Sequence, residues 1–433
     1  MDIQEIYERF LQCNGVTTDS RNCPKGSLFI ALKGESFNGN AFASKALEAG
    51  CSYVIVDEPS YAVDNDQRYI LVENCLQTLQ ALANLHRRTL KTPIIGVTGT
   101  NGKTTTKELI AAVMSSQYNV LYTQGNLNNH IGVPLTLLKM TAQNDYAIIE
   151  MGANHPGEIN TLVHICEPDF GIITNVGKAH LEGFGSFEGV KKTKKELYDY
   201  LLEKGDCPIF IHHDNPHLMQ MGAQMSHQTA YGKDSSLYIH GEAEGDNAFL
   251  ALTWGKAHEE ATHRIQTKLI GDYNLPNALA AITIGTYFKV PAEKIDKALS
   301  EYTPANNRSQ LKETGSNSLI IDAYNANPTS MMAALQNFER LKADRKLLIL
   351  GDMRELGTDS IAEHQKIADF IQTCHVDKVL LVGSQFGQTT HPYPVFQDVQ
   401  ELIQEIQKDK PENYTILLKG SNGIHLNQVI EYL

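Results

Sequence analysis

The sequence is poor in the features that would make it a disulfide-stapled, metal-finger, membrane-spanning or nucleic-acid-binding chain. It holds one tryptophan in 433 residues, and its seven cysteines (13, 23, 51, 75, 166, 207 and 374) are odd in number, scattered and without a CxxC pair. That spacing argues against a disulfide framework and a structural zinc site, and leaves buried reduced thiols as the expectation. No apolar run approaches the ~18–20 residues of a membrane span. The opening residues MDIQEIYERF lack the basic head and apolar stretch of a secretory signal, so a cytoplasmic chain is expected. There is no basic excess either. A net charge of −13 disfavours non-specific nucleic-acid binding, which needs clustered Lys and Arg. Anionic ligands remain open, because a helix N-terminus and a few placed cations can hold a phosphate against an unfavourable overall field.

What is present is an ordinary globular composition, 42% hydrophobic and 20% charged, in a chain too long for one core. At roughly 150 residues per domain the length suggests three. Residues 1–90 read as a small α/β unit, with β-rich runs at 28–32, 53–56 and 69–72 and helical patterns at 41–49 and 76–90. Pro93 is read as ending the second helix. From 91 to 304 the pattern is strand, glycine-rich turn, helix, repeated through IIGVTG (94–99), YAIIEMG (146–152) and GIITNVG (171–177), which predicts a mainly parallel sheet. The polar alternation within 207–270 predicts an antiparallel patch at the sheet edge. A passage rich in Pro and Asn, EYTPANNR (301–308), reads as a linker. Residues 305–433 then show a third α/β series, with apolar runs at 318–325, 346–353, 378–383 and 415–420 suggesting a doubly wound, Rossmann-like sheet.

The strongest chemical signal is GVTGTNGKTTT at 96–106, set between an apolar strand and a helix. Gly99, Thr100, Asn101, Gly102, Lys103, Thr104 and Thr105 would offer successive backbone N–H groups to a phosphate, with Lys103 reaching the β/γ-phosphates and the Thr104 hydroxyl on Mg²⁺. Val97 stands where the strict pattern has glycine. Glu150, closing the run YAIIE, is placed to hold the metal. His180, a few residues after GIITNV, could be a ligand or an ordinary polar residue. The run Lys191–Glu196 reads as a solvated helix face, in which composition singles out no lysine. Asp322, Asn325 and Asn327 lie at a strand end, where ribose or peptide contacts compete with simple helix capping.

Together these segments resemble the ATP-dependent Mur ligase superfamily over nearly the whole chain. DAYNANPTSMMAAL (322–335), LGDMRELG (350–357), TTDSRNCPKGSLFIALKGESFNGNAF (17–42) and NNRSQL (306–311) are similar to the branch that adds D-alanyl-D-alanine to UDP-N-acetylmuramoyl-tripeptide through an acyl phosphate. The resemblance implies an N-terminal UDP-binding domain, a central P-loop domain and a C-terminal Rossmann-like ligase domain. It makes Lys103 and Thr104 ATP and Mg²⁺ residues, with two Mg²⁺ sites. It makes Glu150 and His180 metal-associated, and Lys194 a carbamylated lysine whose carbamate ligates metal, with Lys192 or Lys195 as its neighbours. It places Asn274 and Asn277 near the adenine and Arg308 and Asp322 over ATP phosphate and ribose. Asn325 and Asn327 become contacts for ATP or the dipeptide. Thr18, Ser20, Arg21 and the loop Gly34–Asn38, with Phe37, are assigned to the uridine nucleotide. A monomer is expected, closing its domains before catalysis. Sister ligases, the diaminopimelate- or lysine-adding enzyme and folylpolyglutamate synthase, would share the P-loop but not be expected to carry YNANPTS and LGDMRELG. A silent nucleotide-binding protein or an ATPase switch is the competing class.

Overall fold

Short apolar runs bounded by turns become the strands of three separate sheets in a computed structural model that describes residues 1–245, 248–304 and 310–433. The first sheet is parallel and four-stranded, its strands Val16–Thr17, Leu28–Ile30, Tyr53–Val56 and Tyr69–Leu71 lying side by side in chain order. The helix Cys75–Leu90 buries Leu79, Leu82, Ala83 and His86, the spacing of one helical face. Asn74 caps its start, accepting from the Gln77 N–H at 2.8 Å. Its end differs from the proline stop expected: Lys91 turns left-handed at φ 59°, two residues before Pro93.

That helix also ties the first sheet to the second. Arg87 donates to the carbonyls of Cys166 (3.1 Å) and Glu167 (2.8 Å) and to Asp169 (2.8 Å), while Asn84 donates to the carbonyls of His164 and Ile165. Beneath these bonds one apolar cluster runs without a break from Leu28, Val54 and Leu82 to Val133, Leu162 and Leu197.

The second sheet has nine strands. Ile94–Thr98 lies between Tyr146–Glu150 and Phe170–Ile173, parallel to both and buried throughout. The antiparallel patch is smaller than expected from 207–270. Ile209–His212 and Gln228–Gly232 continue the parallel sheet, and the reversal begins only where Ile239–Glu244 pairs with Phe249–Lys256, which pairs with the edge strand Thr262–Ile270. The two parallel strands are apolar only in short stretches, so their polar flanks imitate an edge.

In the third sheet the strand Thr415–Lys419 inserts between Ser318–Asp322 and Lys346–Gly351, all parallel, with Lys378–Val382 and Val395–Phe396 beyond and Gln310–Glu313 antiparallel at the other edge. The insertion sets Asp322 directly beside Lys419 at the carboxyl ends of adjacent strands, where open α/β sheets bind their ligands. The expected linker lies partly outside the described residues.

Candidate functional site

Residues 99–102 turn from the strand Ile94–Thr98 into the helix Lys103–Ser115. Gly99 has φ +143°, and a Cβ there would fall 2.1 Å from Thr174 Oγ1. Gly102 has φ +73°, with Asn277 Oδ1 2.7 Å from where a Cβ would stand. Both positions therefore demand glycine, for conformation and for space. The loop is gripped from behind by the segment after Phe170–Ile173. Asn175 accepts from the N–H groups of Thr100 (2.9 Å, by its carbonyl) and Asn101 (2.9 Å, by Oδ1). Thr174 Oγ1 and Asn175 Nδ2 donate to the Asn101 carbonyl at 2.6 and 2.9 Å. The candidate phosphate cradle is thus narrower than the motif suggests. The N–H groups of Thr100 and Asn101 are spent on structure, and those of the first helical turn, including Thr104 and Thr105, are the ones a helix leaves without internal partners. Lys103 Nζ folds back over the loop, donating to the carbonyls of Gly99 (2.9 Å) and Thr100 (3.0 Å).

Beside the loop lies a buried acid. Glu150 is 1% exposed, and its Oε1 accepts from Thr104 Oγ1 (3.1 Å) and Asn128 Nδ2 (2.8 Å). Its Oε2 is buried with no hydrogen-bond partner. An uncompensated carboxylate oxygen in a dry site is costly, and a cation is its natural complement. Among the described residues no group of three or more His, Cys, Asp or Glu forms a ready-made metal cage.

Lys194 is nothing like the solvated face its charged neighbours suggest. It is 2% exposed, its Nζ 3.4 Å from the Ala153 carbonyl and 5.4 Å from the centre of the Phe184 ring. Burial, and then the nearby charge of Lys103, push its ammonium well below the usual lysine range. Lys195 instead pairs with Asp199. His180 starts the short helix Leu181–Phe184 from a left-handed backbone, φ 50°, and its Nδ1 lies against the Glu355 carboxylate, which this contact holds below its usual pKa. Glu355, Asn128, Thr174 and Asn175 were not singled out in the sequence. LGDMRELG contains Glu355, but nothing local aims it at His180.

Asn274 and Asn277 are buried and occupied. Asn277 Oδ1 accepts from Thr106 Oγ1 at 3.0 Å, its Nδ2 donates to Asn274 Oδ1 at 2.8 Å, and Asn274 Nδ2 donates to the Ile270 carbonyl at 2.8 Å. They brace the start of the loop helix. Asp322, partly exposed, pairs with the buried Lys419. Asn325 is exposed, and its Oδ1 accepts from the Ala326 N–H at 2.9 Å. Asn327 caps the helix Pro328–Arg340, accepting from the Ser330 N–H at 2.9 Å, and its Nδ2 donates to Asn101 Oδ1 at 2.6 Å. Arg308 lies outside the described residues.

Thr18, Ser20 and Arg21 occupy a loop of the first sheet, Arg21 exposed and paired with Asp19 at 2.9 Å. In the next loop Phe37, 53% exposed, folds over Gly34, where a Cβ would meet its ring at 2.5 Å. Asn38 Nδ2 donates to Glu58 at 3.0 Å, and Lys33 pairs with Asp57 and Glu58 at 2.9 Å each.

Comparison with known proteins agrees with this geometry. Three family models match in order: the Mur ligase family catalytic domain over residues 12–87, the Mur ligase middle domain over 97–285 and the Mur ligase glutamate ligase domain over 307–422. The UDP-N-acetylmuramoyl-tripeptide–D-alanyl-D-alanine ligase of Bacillus subtilis is 35% identical, covering 97% of this chain and 93% of its own length. That of Escherichia coli is 34% identical over 99% of this chain and 95% of its own. A crystal structure of MurF from Acinetobacter baumannii superposes with a TM-score of 0.86 at 27% identity, covering 99% of this chain and 97% of that one. The chain belongs to the Mur ligase family, and within it to the UDP-N-acetylmuramoyl-tripeptide–D-alanyl-D-alanine ligases.

Proposed function

We propose that this chain uses ATP to join D-alanyl-D-alanine to UDP-N-acetylmuramoyl-tripeptide, acting in the cytoplasm as a monomer built of domains 1–90, 91–304 and 305–433. The observation that carries the nucleotide half of this reading is the unpartnered Glu150 Oε2 beside the Thr104 hydroxyl, at the mouth of a glycine turn that tolerates no side chain. The relatives' names supply the acceptor and donor.

A carboxylate is a poor acylating agent, so the tripeptide's terminal carboxylate attacks the γ-phosphorus of ATP and ADP leaves. The amine of D-alanyl-D-alanine then attacks the acyl carbon of the resulting acyl phosphate, and phosphate departs. The protein's share is positioning and charge neutralisation. First-turn N–H groups of the helix Lys103–Ser115 would hold the phosphates, and Lys103 would exchange the carbonyls of Gly99 and Thr100 for phosphate oxygens. Thr104 and Glu150 fit Mg²⁺, an oxygen-seeking ion that completes its shell with phosphates and water. Bound there, it would supply neutralisation of the phosphate charge. Lys194 is suited to carbamylation: a buried amine that sheds its proton readily can attack CO₂, forming the N–C bond and releasing a proton to give a carbamate anion. That anion and His180 are assigned to a second metal position. Asn274 and Asn277 are assigned to the adenine side, Arg308, Asp322 and Asn325 to ATP, and Thr18, Ser20, Arg21, Gly34, Phe37 and Asn38 to the uridine nucleotide.

Purified protein should release ADP and phosphate and form the pentapeptide product only when both the UDP-linked tripeptide and D-alanyl-D-alanine are present. ATP turnover independent of the dipeptide, with no ligated product, would reject the reading.

A further inference from the structure

Asn101 is a phosphate-loop residue held from both sides of the site. Its backbone is fixed within the second unit, the N–H to Asn175 Oδ1 and the carbonyl to Thr174 Oγ1 and Asn175 Nδ2. Its side chain reaches the third unit, where two reciprocal amide bonds join it to Asn327: Asn327 Nδ2 to Asn101 Oδ1 at 2.6 Å and Asn101 Nδ2 to Asn327 Oδ1 at 3.4 Å. Asn327 is 4% exposed and is fixed in turn by capping its helix through Ser330. The helix it caps is seated close on the loop's support. A Cβ at Gly177, whose N–H donates to Thr100 Oγ1 at 3.0 Å, would stand 3.0 Å from Thr329 Oγ1.

We propose that Asn327 is a positioning residue that fastens the third unit to the phosphate loop through Asn101, so that the loop becomes rigid only when that unit is seated. The cap and the clasp use the same side chain. Oδ1 accepts the first-turn N–H of its own helix and, at longer range, Asn101 Nδ2, while Nδ2 donates its shorter bond to the loop. This rests on the ligase reading above, and it moves Asn327 from contacting substrate to acting through Asn101.

Asn327→Ser separates the two roles, because serine caps a helix about as well as asparagine but is too short to clasp. The experiment uses the full chain without nucleotide and reads hydrogen exchange of peptides covering 98–106, then kcat and each KM in the ligation assay. Exchange over the loop should speed up in Asn327→Ser and in Asn101→Ala alike, with melting temperatures close to wild type. In each variant kcat should fall about tenfold, the size of one lost hydrogen-bonded pair, and the double variant should fall no further. Unchanged loop exchange overturns the proposal. So does a double variant whose losses multiply, with KM for the dipeptide or tripeptide raised by Asn327→Ser alone, since that is the signature of direct substrate contact. If Asn327→Ser does not fold, Asn101→Ala tests the clasp from the other side by the same exchange readout. Failure of the wild-type chain to ligate would instead strike the functional reading, and leaves the exchange result standing by itself.

Discussion

At the scale of single residues, the site is defined by side chains whose surroundings contradict their usual behaviour. Lys194 is a lysine with almost no water and a cation nearby, and Glu150 is an acid with one bare oxygen. Lys103→Ala should leave the fold intact by circular dichroism and lower product formation by roughly 10²–10³, the loss typical of removing one charge-stabilising donor. Lys194→Ala should be inactive and regain activity with short carboxylic acids such as formate, which restore an anion in the vacated space; full activity without added acid would defeat the carbamate assignment. Away from the site, His86 shows a simpler linkage. Its Nε2–H donates to the Met140 carbonyl at 2.8 Å, so Nδ1 accepts from Tyr7 Oη at 3.1 Å and the ring is satisfied while neutral. Burial lowers its pKa from 6.5. The unfolded chain therefore binds this proton first, and the stability His86 contributes is complete above pH ~6.5 and is lost as pH falls toward the lower folded value. His86→Gln should flatten that acid-side fall in melting temperature below pH ~6.5 relative to wild type.

At the scale of elements, the central strands were legible where an apolar run met a glycine or a charged residue, though Ile209–His212 and Phe249–Lys256 were not read individually, and the phosphate loop was legible because its backbone admits few sequences. Gly99→Ala tests that constraint. With φ at +143° and Thr174 Oγ1 at 2.1 Å from the new carbon, it should cost roughly 1–3 kcal/mol by denaturant titration and weaken binding of a nonhydrolysable ATP analogue. Glu150 could be read from its place at the end of a buried strand. Glu355, Asn128 and Asn175 could not, since each reaches His180, Glu150 or the loop only after segments distant in sequence have packed. The burial of Lys194 was hidden for a different reason. KKTKKE looks hydrophilic as a string, and only the seating of the helix Phe187–Glu203 turns Thr193 and Lys194 inward.

At the scale of the molecule, the first two sheets share one broad apolar cluster and the Arg87 bonds, whereas the second reaches the third's core only through Ile270 and Phe249 and otherwise meets it through polar contacts. These include Asn101 with Asn327, Lys178 with Glu363 at 2.9 Å and Asp272 with Arg340 at 3.4 Å. Scanning calorimetry should accordingly show the first two units melting together. Arg87→Ala should lower that shared transition by about 3 kcal/mol of stability, because it strands buried carbonyls and half-frees Asp169. Separate melting of the first unit in the wild-type chain would contradict this. The third sheet has its own consequence. Its middle is filled by Thr415–Lys419, which is synthesised after every strand around it. While the ribosome is still short of that stretch, Ser318–Asp322 and Lys346–Gly351 stand across a gap roughly 10 Å wide, each with a row of unpaired amides. A message cut short before codon 415 would yield a protein whose first two units are sound and whose last is two sticky half-sheets, the kind of product that chaperones retain and proteases clear.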